Sequence, residues 1–425
     1  MSANAADPPL LIYSQDGLGL GHQRRTTLLA GEFLDSCPGS SVLTISDSPI
    51  GQFFEARPGH DYLKLPSIRK VGPGSWQPVS LSQPFEDVLK MRKEIIRSAA
   101  RAFRPDVLLV DHMPHGAMGE LVPTLEELEG SGTRIVLGLR DILDAPATVR
   151  QRWRLEGAFE AVERFFEDVL VYGSRDLFDV AAQYGWPTSL AARLRYCGYV
   201  CAPPALSGVD AVRRHYLGDD QDARLVVAMA GGGADSATMF TTLLRALPSL
   251  DVDHRVVVVL VTGPFLPEEE RARLQLLVGD LPVHLIPTVS DSPSYLGAAD
   301  LVVAMAGYNT TAEILSLGAR ALLVPRSGPS AEQQMRARSF AHRVWVQWLQ
   351  PDILSPETLA AAMASALDTP PASVSLAPDL LGRQRAAGHL LNGWARQPGG
   401  GAGNLVMSTV MAPPLEDSRQ LLGEG

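Results

Sequence analysis

The sequence predicts an α/β protein of two doubly wound domains facing a central cleft, and three observations carry that expectation. In the first half, five apolar runs (Leu10–Tyr13, Val42–Ser46, Val107–Val110, Ile135–Gly138 and Val169–Tyr172) are continuous rather than alternating. Strands buried on both faces of a parallel sheet read this way. The pattern recurs in the second half at Leu225–Ala228, Val256–Val261, Val283–Ile286, Leu301–Ala304 and Ala321–Val324. Finally, a glycine-rich turn follows the first strand of each array, at the carboxyl edge where open α/β sheets bind ligands.

Segments of helical period separate the runs, as a parallel sheet requires of its crossovers. They are His22–Ser36, Phe85–Phe103 and Thr148–Glu167 in the first half. Ser236–Leu247, Glu268–Leu277, Thr310–Ser316 and Glu332–Ala341 follow in the second. Pro203, Pro204 and Gly208 interrupt the periodicity near 201–208, which sets expected domains of 9–203 and 209–370. Asp379–Arg396 reads as one more helix, and the glycine-rich 397–425 as a flexible tail. Residues 61–84, rich in Gly, Pro and Ser around Trp76, read as a long loop, functional or disordered.

Composition narrows the function classes. The 425 residues are 46% hydrophobic and 20% charged, which suits a well-buried globular protein. A formal net charge of −10 argues against non-specific nucleic-acid binding, which needs a basic surface. The three cysteines, Cys37, Cys197 and Cys201, have no paired spacing, so a reducing compartment is expected and a zinc site is not. The N-terminus lacks a signal-peptide pattern and no apolar run approaches the roughly 20 residues that span a bilayer. A cytoplasmic protein is expected, with peripheral membrane contact open through Ile68-Arg69-Lys70 and Met91-Arg92-Lys93.

Four patches carry chemistry. Gly17-Leu18-Gly19-Leu20-Gly21-His22-Gln23-Arg24-Arg25 follows the first strand. Gly19 and Gly21 let the backbone turn tightly, and His22 stands where a helix begins. An imidazole titrates near neutrality and suits a general base, although a helix-start residue is the plainer reading. Arg25, and less so Arg24, is a candidate for contact with an anionic ligand. Asp47, ending the second strand, sits near where a dinucleotide-binding fold carries its ribose carboxylate. Asp111-His112-Met113-Pro114-His115 follows another buried strand and lines the same cleft; Asp111 is placed to orient a histidine. No third ligand is evident beside His112 and His115, so no metal is expected there.

In the second half, Gly231-Gly232-Gly233-Ala234-Asp235-Ser236 offers backbone amides and a helix N-terminus, which together cradle a phosphate. Asp235 is expected to cap the helix. Met305–Ala337 combines a strand, a Gly307-Tyr308-Asn309-Thr310-Thr311 turn, a helix with Glu313 about a turn in, a further strand, and a loop delivering Glu332, Gln333 and Gln334. The helix start suits a phosphate and Glu313 suits a ribose diol. Asp251-Val252-Asp253 has the letters of a cation motif but lies at the amino end of a strand, so a surface turn is expected.

These patches resemble GT-B glycosyltransferases of the family 28 type, which include the peptidoglycan N-acetylglucosaminyltransferases. The small-Gly-x-x-T-x-x-E segment, the strand after it, and Gln333, Arg336 and Ala337 carry the likeness; Ala319-Arg320-Ala321 replaces the usual central proline. The Gly231–Gly233 turn and the G-x-G-H-x-x-R pattern at Gly19–Arg25 add to it. The resemblance implies two Rossmann-like domains and a metal-independent, inverting transfer from a nucleotide-diphosphate sugar, a UDP-sugar above all, with no other cofactor. It implies donor contacts from Gly231, Gly232, Gly233, Ser236, Val289, Gly307, Tyr308, Asn309, Thr310, Thr311, Glu313, Gln333 and Gln334. His22 and Asp111 would be catalytic, with Gly19, Gly21, Arg25, His112 and His115 on the acceptor side. The acceptor is left open among a lipid-linked sugar, a polysaccharide and a small natural product. The last helix would cross back to the first domain. A nucleotide-sugar hydrolase, a 2-epimerase and a non-catalytic sensor remain alternatives on the same layout.

Overall fold

The computed structural model describes residues 7–16, 20–48, 57–72, 75–204, 206–220, 222–369 and 378–392. Nine strands precede residue 200: β1 Leu10–Ser14, β2 Val42–Ser46, β3 His60–Lys64, β4 Ile68–Gly72, β5 Ser75–Pro78, β6 Val107–Asp111, β7 Arg134–Arg140, β8 Asp168–Tyr172 and β9 Leu194–Tyr196. Seven form one sheet in the order β3-β2-β1-β6-β7-β8-β9, with every pairing parallel. Six more follow: β10 Arg224–Met229, β11 Val256–Val261, β12 Val283–Ile286, β13 Leu301–Ala304, β14 Ala321–Leu323 and β15 Gln347–Trp348. They form a second parallel sheet ordered β12-β11-β10-β13-β14-β15.

The two orders share one logic. In each sheet the chain first builds outward from a central strand, then jumps back to that strand's other side. The reversal lies between β1 and β6 in the first sheet and between β10 and β13 in the second. Helices leave the two flanking strands on opposite faces there, which opens a crevice at the carboxyl edge. Ser14 pairs with Asp111 at the first switch point and Met229 with Ala304 at the second. The glycine turns and Asp111 therefore fall at the switch points because the strands before them end there.

Continuous Val, Leu and Ile runs put both faces of each central strand in the core. Leu10 to Tyr13, Val107 to Val110 and Val226 to Ala228 are all buried. Each such side chain contributes about 1.5–3 kcal/mol of transfer free energy. Helix Gly382–Asn392 lies against helix Gly21–Ser36 of the first half. Arg383 pairs with Glu32 at 2.8 Å, and Arg134 donates to the His389 carbonyl at 2.8 Å.

Several expectations need correction. Residues 61–84 are no plain loop: β3 extends the sheet edge, and β4 and β5 form an antiparallel hairpin. His60-Asp61-Tyr62-Leu63-Lys64 is a half-exposed edge strand without the continuous apolar signature of its neighbours. Thr148–Glu167 is two helices, Pro146–Leu155 and Ala158–Phe165, broken at Gly157, whose φ of 65° no helix accommodates. Arg92 is fully buried and Ile68 with it, so neither rims a membrane surface; Arg69 and Lys70 are exposed. The three thiols are buried and free. Among the described residues no helix is long and apolar enough to cross a membrane. The expected tail, 397–425, lies outside the described residues, as does Gly19.

Candidate active site

His22 and Asp111 come together at the first switch point. The His22 Nδ1 lies 2.5 Å from an Asp111 carboxylate oxygen. Arg25, one helical turn after His22 on the same face, donates to both Asp111 oxygens at 3.0 and 2.8 Å. Its Nη2 is also 2.9 Å from His22 Nδ1. An ionised carboxylate only accepts, and Asp111 is the nearer partner, so it fixes the tautomer: Nδ1 carries the proton and donates to it, while the Arg25 guanidinium bonds the same carboxylate. Nε2 is left with its lone pair, and no described residue bonds it. Burial by itself would raise the Asp111 carboxyl, but the charges and hydrogen bonds of Arg25 and His22 outweigh it and hold the group well below the usual carboxylate range.

Arg25 is itself buried, its guanidinium between the rings of Tyr172 and Tyr308. It supports the dyad from beneath and does not reach the cleft, contrary to its expected place among the acceptor contacts. Arg24 is the residue that points across.

The start of the first helix is closed by its own chain. Asp16 accepts from the backbone N–H groups of His22 and Gln23, both at 3.0 Å. Asp47 accepts from the Asp16 N–H at 2.7 Å and meets Arg92 at 3.3 Å. Arg92 also grips Glu120 through two 2.5 Å bonds. Asp47 is thus a buried loop anchor rather than a ribose contact, and no helix-start amide of this half is spare for a phosphate at His22 or Gln23.

His112 follows Asp111 with a φ of 81°, rare for a residue with a side chain. Its ring centre is 5.1 Å from that of His22, and its Nδ1 is buried without a hydrogen-bond partner. Burial, with the nearby charges of Arg140 and His22, pushes its pKa well below the ordinary histidine value, so the ring is neutral at pH 7. His115 is half-buried further along the same turn, and burial lowers its pKa too.

The second switch point differs from the first in one respect: its helices are uncapped. Among the described residues no side chain bonds the first amides of helix Ala237–Ala246 or of helix Tyr308–Leu317. Asp235 does not cap, as the sequence suggested; it pairs with Arg326 at 2.5 Å, which neutralises its charge beside the glycine turn. Gly233 needs its identity: φ is 88°, and a Cβ would sit 2.0 Å from the Thr262 carbonyl. The Ser236 hydroxyl is spent on the Gly233 carbonyl at 2.7 Å. Thr311 is fully buried and bonds back to the Gly307 carbonyl, and Thr310 is buried beside it. The Tyr308 hydroxyl accepts from the Val200 N–H at 2.8 Å, and its ring lies between Arg25 and Arg336. These side chains build the turn; within it the Gly233 N–H donates to the Ala230 carbonyl at 3.3 Å and Gly233 is buried, while Gly231 is exposed. Val289 is half-buried in the loop after β12.

Glu313 is 3% exposed and forms an ion pair with Arg24 of the first half. Burial raises its pKa, and Arg24 and Ser292 only partly offset that. Gln333 accepts from the Arg326 N–H at 3.2 Å, and Gln334 donates to the Arg326 carbonyl at 3.3 Å. Both glutamines shape their own loop, and Glu332 crosses the cleft to Arg140 at 2.8 Å.

Further contacts join the halves. Asn309 donates to the Gly21 carbonyl at 3.0 Å, beside His22. Arg336 holds Asp141 through bonds of 2.7 and 2.9 Å, both side chains buried. Asp144 accepts from the Ala331 N–H at 2.9 Å. Sequence reasoning did not find Asp141, Asp144 or Arg140. Their one signal is that Arg140 and Asp141 end a buried strand at the cleft edge, as Asp111 does. Asp251 and Asp253 lie in the loop before β11, on the far edge. Among the described residues no three His, Cys, Asp or Glu side chains converge as a metal-ligand group.

Comparison with known proteins agrees with this arrangement. Residues 226–384 match the glycosyltransferase family 28 C-terminal domain. The fold is GT-B, and residues 226–384 are similar to the family 28 C-terminal domain. A UDP-N-acetylglucosamine--N-acetylmuramyl-(pentapeptide) pyrophosphoryl-undecaprenol N-acetylglucosamine transferase of Brucella suis is 29% identical over 184 residues, 42% of this chain and 47% of the relative. The chain thus spans about half the length of the curated relatives it matches. Over nearly the whole chain the likeness is structural. A UDP-glucosyltransferase from Polygonum tinctorium superimposes with a TM-score of 0.61 at 14% identity, covering 93% of this chain and all of that one (100%). The glycotransferase of kitacinnamycin gives 0.59 at 17% identity, covering 91% and 97%. The family 28 match begins in β10 and takes in both the Gly231–Gly233 turn and Glu313; the first half, with His22 and Asp111, is matched by shape.

Proposed function

We propose that this protein is a glycosyltransferase that moves a sugar from a UDP-sugar to an acceptor hydroxyl, inverting the anomeric carbon and needing no metal. The observation that carries this reading is the meeting of the two switch points. Asn309, in the first turn of the family 28 helix, bonds the carbonyl of Gly21, the residue before His22. A base with a free Nε2 therefore stands beside the uncapped start of helix Tyr308–Leu317.

In the proposed step the donor diphosphate lies on the amides of Gly231 and Gly232, in the turn that Gly233 shapes, and on those of the helix after Gly307. Its ribose diol donates to Glu313. His22 Nε2 takes the proton of an acceptor hydroxyl, and Asp111 stabilises the imidazolium that forms. The acceptor oxygen attacks the anomeric carbon as the bond to the β-phosphate oxygen breaks, and UDP leaves with the charge. Preorganised N–H dipoles stabilise that charge without reorganising, so the reading assigns no task to a cation. The acceptor class stays a lipid-linked sugar, a polysaccharide or a small hydroxylated product, reached in the cytoplasm or at a membrane surface through the face bearing Arg69 and Lys70.

The test uses His22→Ala. Transfer should fall by roughly 10²–10⁴, the contribution of a positioned base, with UDP affinity by calorimetry nearly intact. Wild-type activity should persist in EDTA. Transfer at the wild-type rate in His22→Ala would sink the proposed base. UDP release by the wild type as fast without acceptor as with it would make the protein a hydrolase, and interconversion of the donor with its 2-epimer an epimerase.

A further inference from the structure

Arg24 is the one described side chain of the first half that occupies the carboxylate assigned to the donor ribose. It pairs with Glu313 and donates to Ser292 at 2.8 Å, and Ser292 in turn donates to Glu313 at 3.3 Å. Both Glu313 oxygens are engaged, and the carboxylate is 3% exposed. A ribose diol needs those same two oxygens. Arg24, by contrast, is about one-third exposed (30%) and can turn to water. The contact is thus asymmetric: one partner is fixed and the other is free to leave.

We propose that Arg24 is a built-in competitor for the donor: it fills the ribose position of Glu313 when no nucleotide is bound and is displaced when one arrives. This rests on the reading of Glu313 as the ribose acceptor. Arg24 also lies two residues after His22 on the same helix, so its release cuts one of the ties between that helix and the second half. Asn309 to Gly21 and the Arg25 guanidinium against the Tyr308 ring remain. Occupancy of the donor site is thereby communicated to the start of the helix that carries the base.

A competitor and an ordinary ligand contact predict opposite signs. If Arg24 were a phosphate contact, removing it would weaken nucleotide binding. If it competes, removing it tightens binding, but only while Glu313 is there to be competed for. The experiment is a double-mutant cycle on UDP binding by calorimetry, with wild type, Arg24→Gln, Glu313→Gln and the double variant. Circular dichroism confirms that each is folded. Arg24→Gln is expected to bind UDP roughly threefold to fivefold tighter than wild type, as loss of a partly exposed ion pair allows. In the Glu313→Gln background the same substitution is expected to change affinity less than twofold.

Unchanged or weaker UDP binding in Arg24→Gln would overturn the proposal while leaving the donor site in place. Equal tightening in both backgrounds would also overturn it, because the effect would then not pass through Glu313. Tight UDP binding that Glu313→Gln leaves untouched would remove Glu313 from the ribose and take the competitor with it. Failure of wild type to bind UDP, or any other nucleoside diphosphate tried alongside it, would overturn the donor reading itself and the competitor too.

Discussion

Two buried carboxylates face each other across this cleft, and consecutive arginines of one helix serve them. Arg25 takes Asp111, in its own half; Arg24 takes Glu313, in the other. Successive residues are 100° apart around a helix, so adjacent arginines leave it in different directions. Arg25 turns inward and is 1% exposed, whereas Arg24 turns toward the second half with its side chain 30% exposed. The first pair is sealed and its carboxyl is held far below the usual range. The second is sealed at one end only, and its carboxyl is pushed up. A sealed pair suits a group whose orientation must not vary. A half-open pair suits a group that has to exchange partners.

The largest test of that contrast removes each carboxylate in turn. Asp111→Ala leaves the Arg25 guanidinium charged, buried and uncompensated, and should cost about 3–5 kcal/mol of unfolding free energy. Urea denaturation measures it. Glu313→Ala should cost far less, because Arg24 can turn to solvent. Equal losses from the two variants would end the distinction between sealed and half-open.

Next in size is the effect on ligand. Glu313→Ala should weaken UDP binding by about 1.5–3 kcal/mol, the range for hydrogen bonds to a charged group. The low end is expected, since wild-type binding already includes the displacement of Arg24. Calorimetry that finds UDP affinity unchanged would take Glu313 out of the site and leave it a plain interface residue.

How much of this was legible in the sequence depends on what each feature rests on. The positions of His22, Asp111, Gly231–Gly233 and Glu313 at one edge follow from strand ends, and strand ends are visible as the close of an apolar run. Val42–Ser46, Val256–Val261 and Leu301–Ala304 coincide with their strands for that reason. β3 escaped because an edge strand is buried on one side only and carries His60, Asp61 and Lys64. Which of Arg24 and Arg25 turns outward is not legible, because the phase of a helix relative to a cleft depends on the helix's docking angle, which two neighbouring identical residues cannot report. Its place before a helix suggests a cap for Asp235, but its partner Arg326 is 91 positions away. Arg336 and Asp141 are 195 apart, and nothing local in either segment announces the other.

The pH dependence of stability sharpens the comparison, because the two carboxyls contribute with opposite signs. Asp111 is depressed in the folded protein, so its contribution is fully present above the unfolded carboxylate value of about 4 and is lost as pH falls through the lower folded value. Glu313 is raised, so the folded state holds its proton more tightly than the unfolded chain does. Its contribution is fully present below the unfolded value of about 4 and is lost as pH rises through the raised folded value. Urea midpoints between pH 4 and 7 should therefore show a term that favours the lower pH in the wild type and is absent in Glu313→Gln. Parallel profiles for the two proteins would mean that Glu313 titrates as it does unfolded.

The smallest expected effect is also the one that separates the arginines most directly. Arg24→Gln removes an ion pair whose cationic side is partly hydrated, and such pairs contribute about 0–1 kcal/mol. The change in unfolding free energy should fall within that range. Arg25→Gln, one residue on, removes a buried cation from beneath His22, strands the Asp111 charge, and loses the contacts with the Tyr172 and Tyr308 rings. Its cost should approach that of Asp111→Ala. Two substitutions of the same type at adjacent positions thus differ by several-fold in stability, read from one pair of urea curves. If Arg24→Gln destabilises as much as Arg25→Gln, Arg24 is a structural tie between the halves, fixed in place, and cannot be a side chain that a nucleotide moves aside.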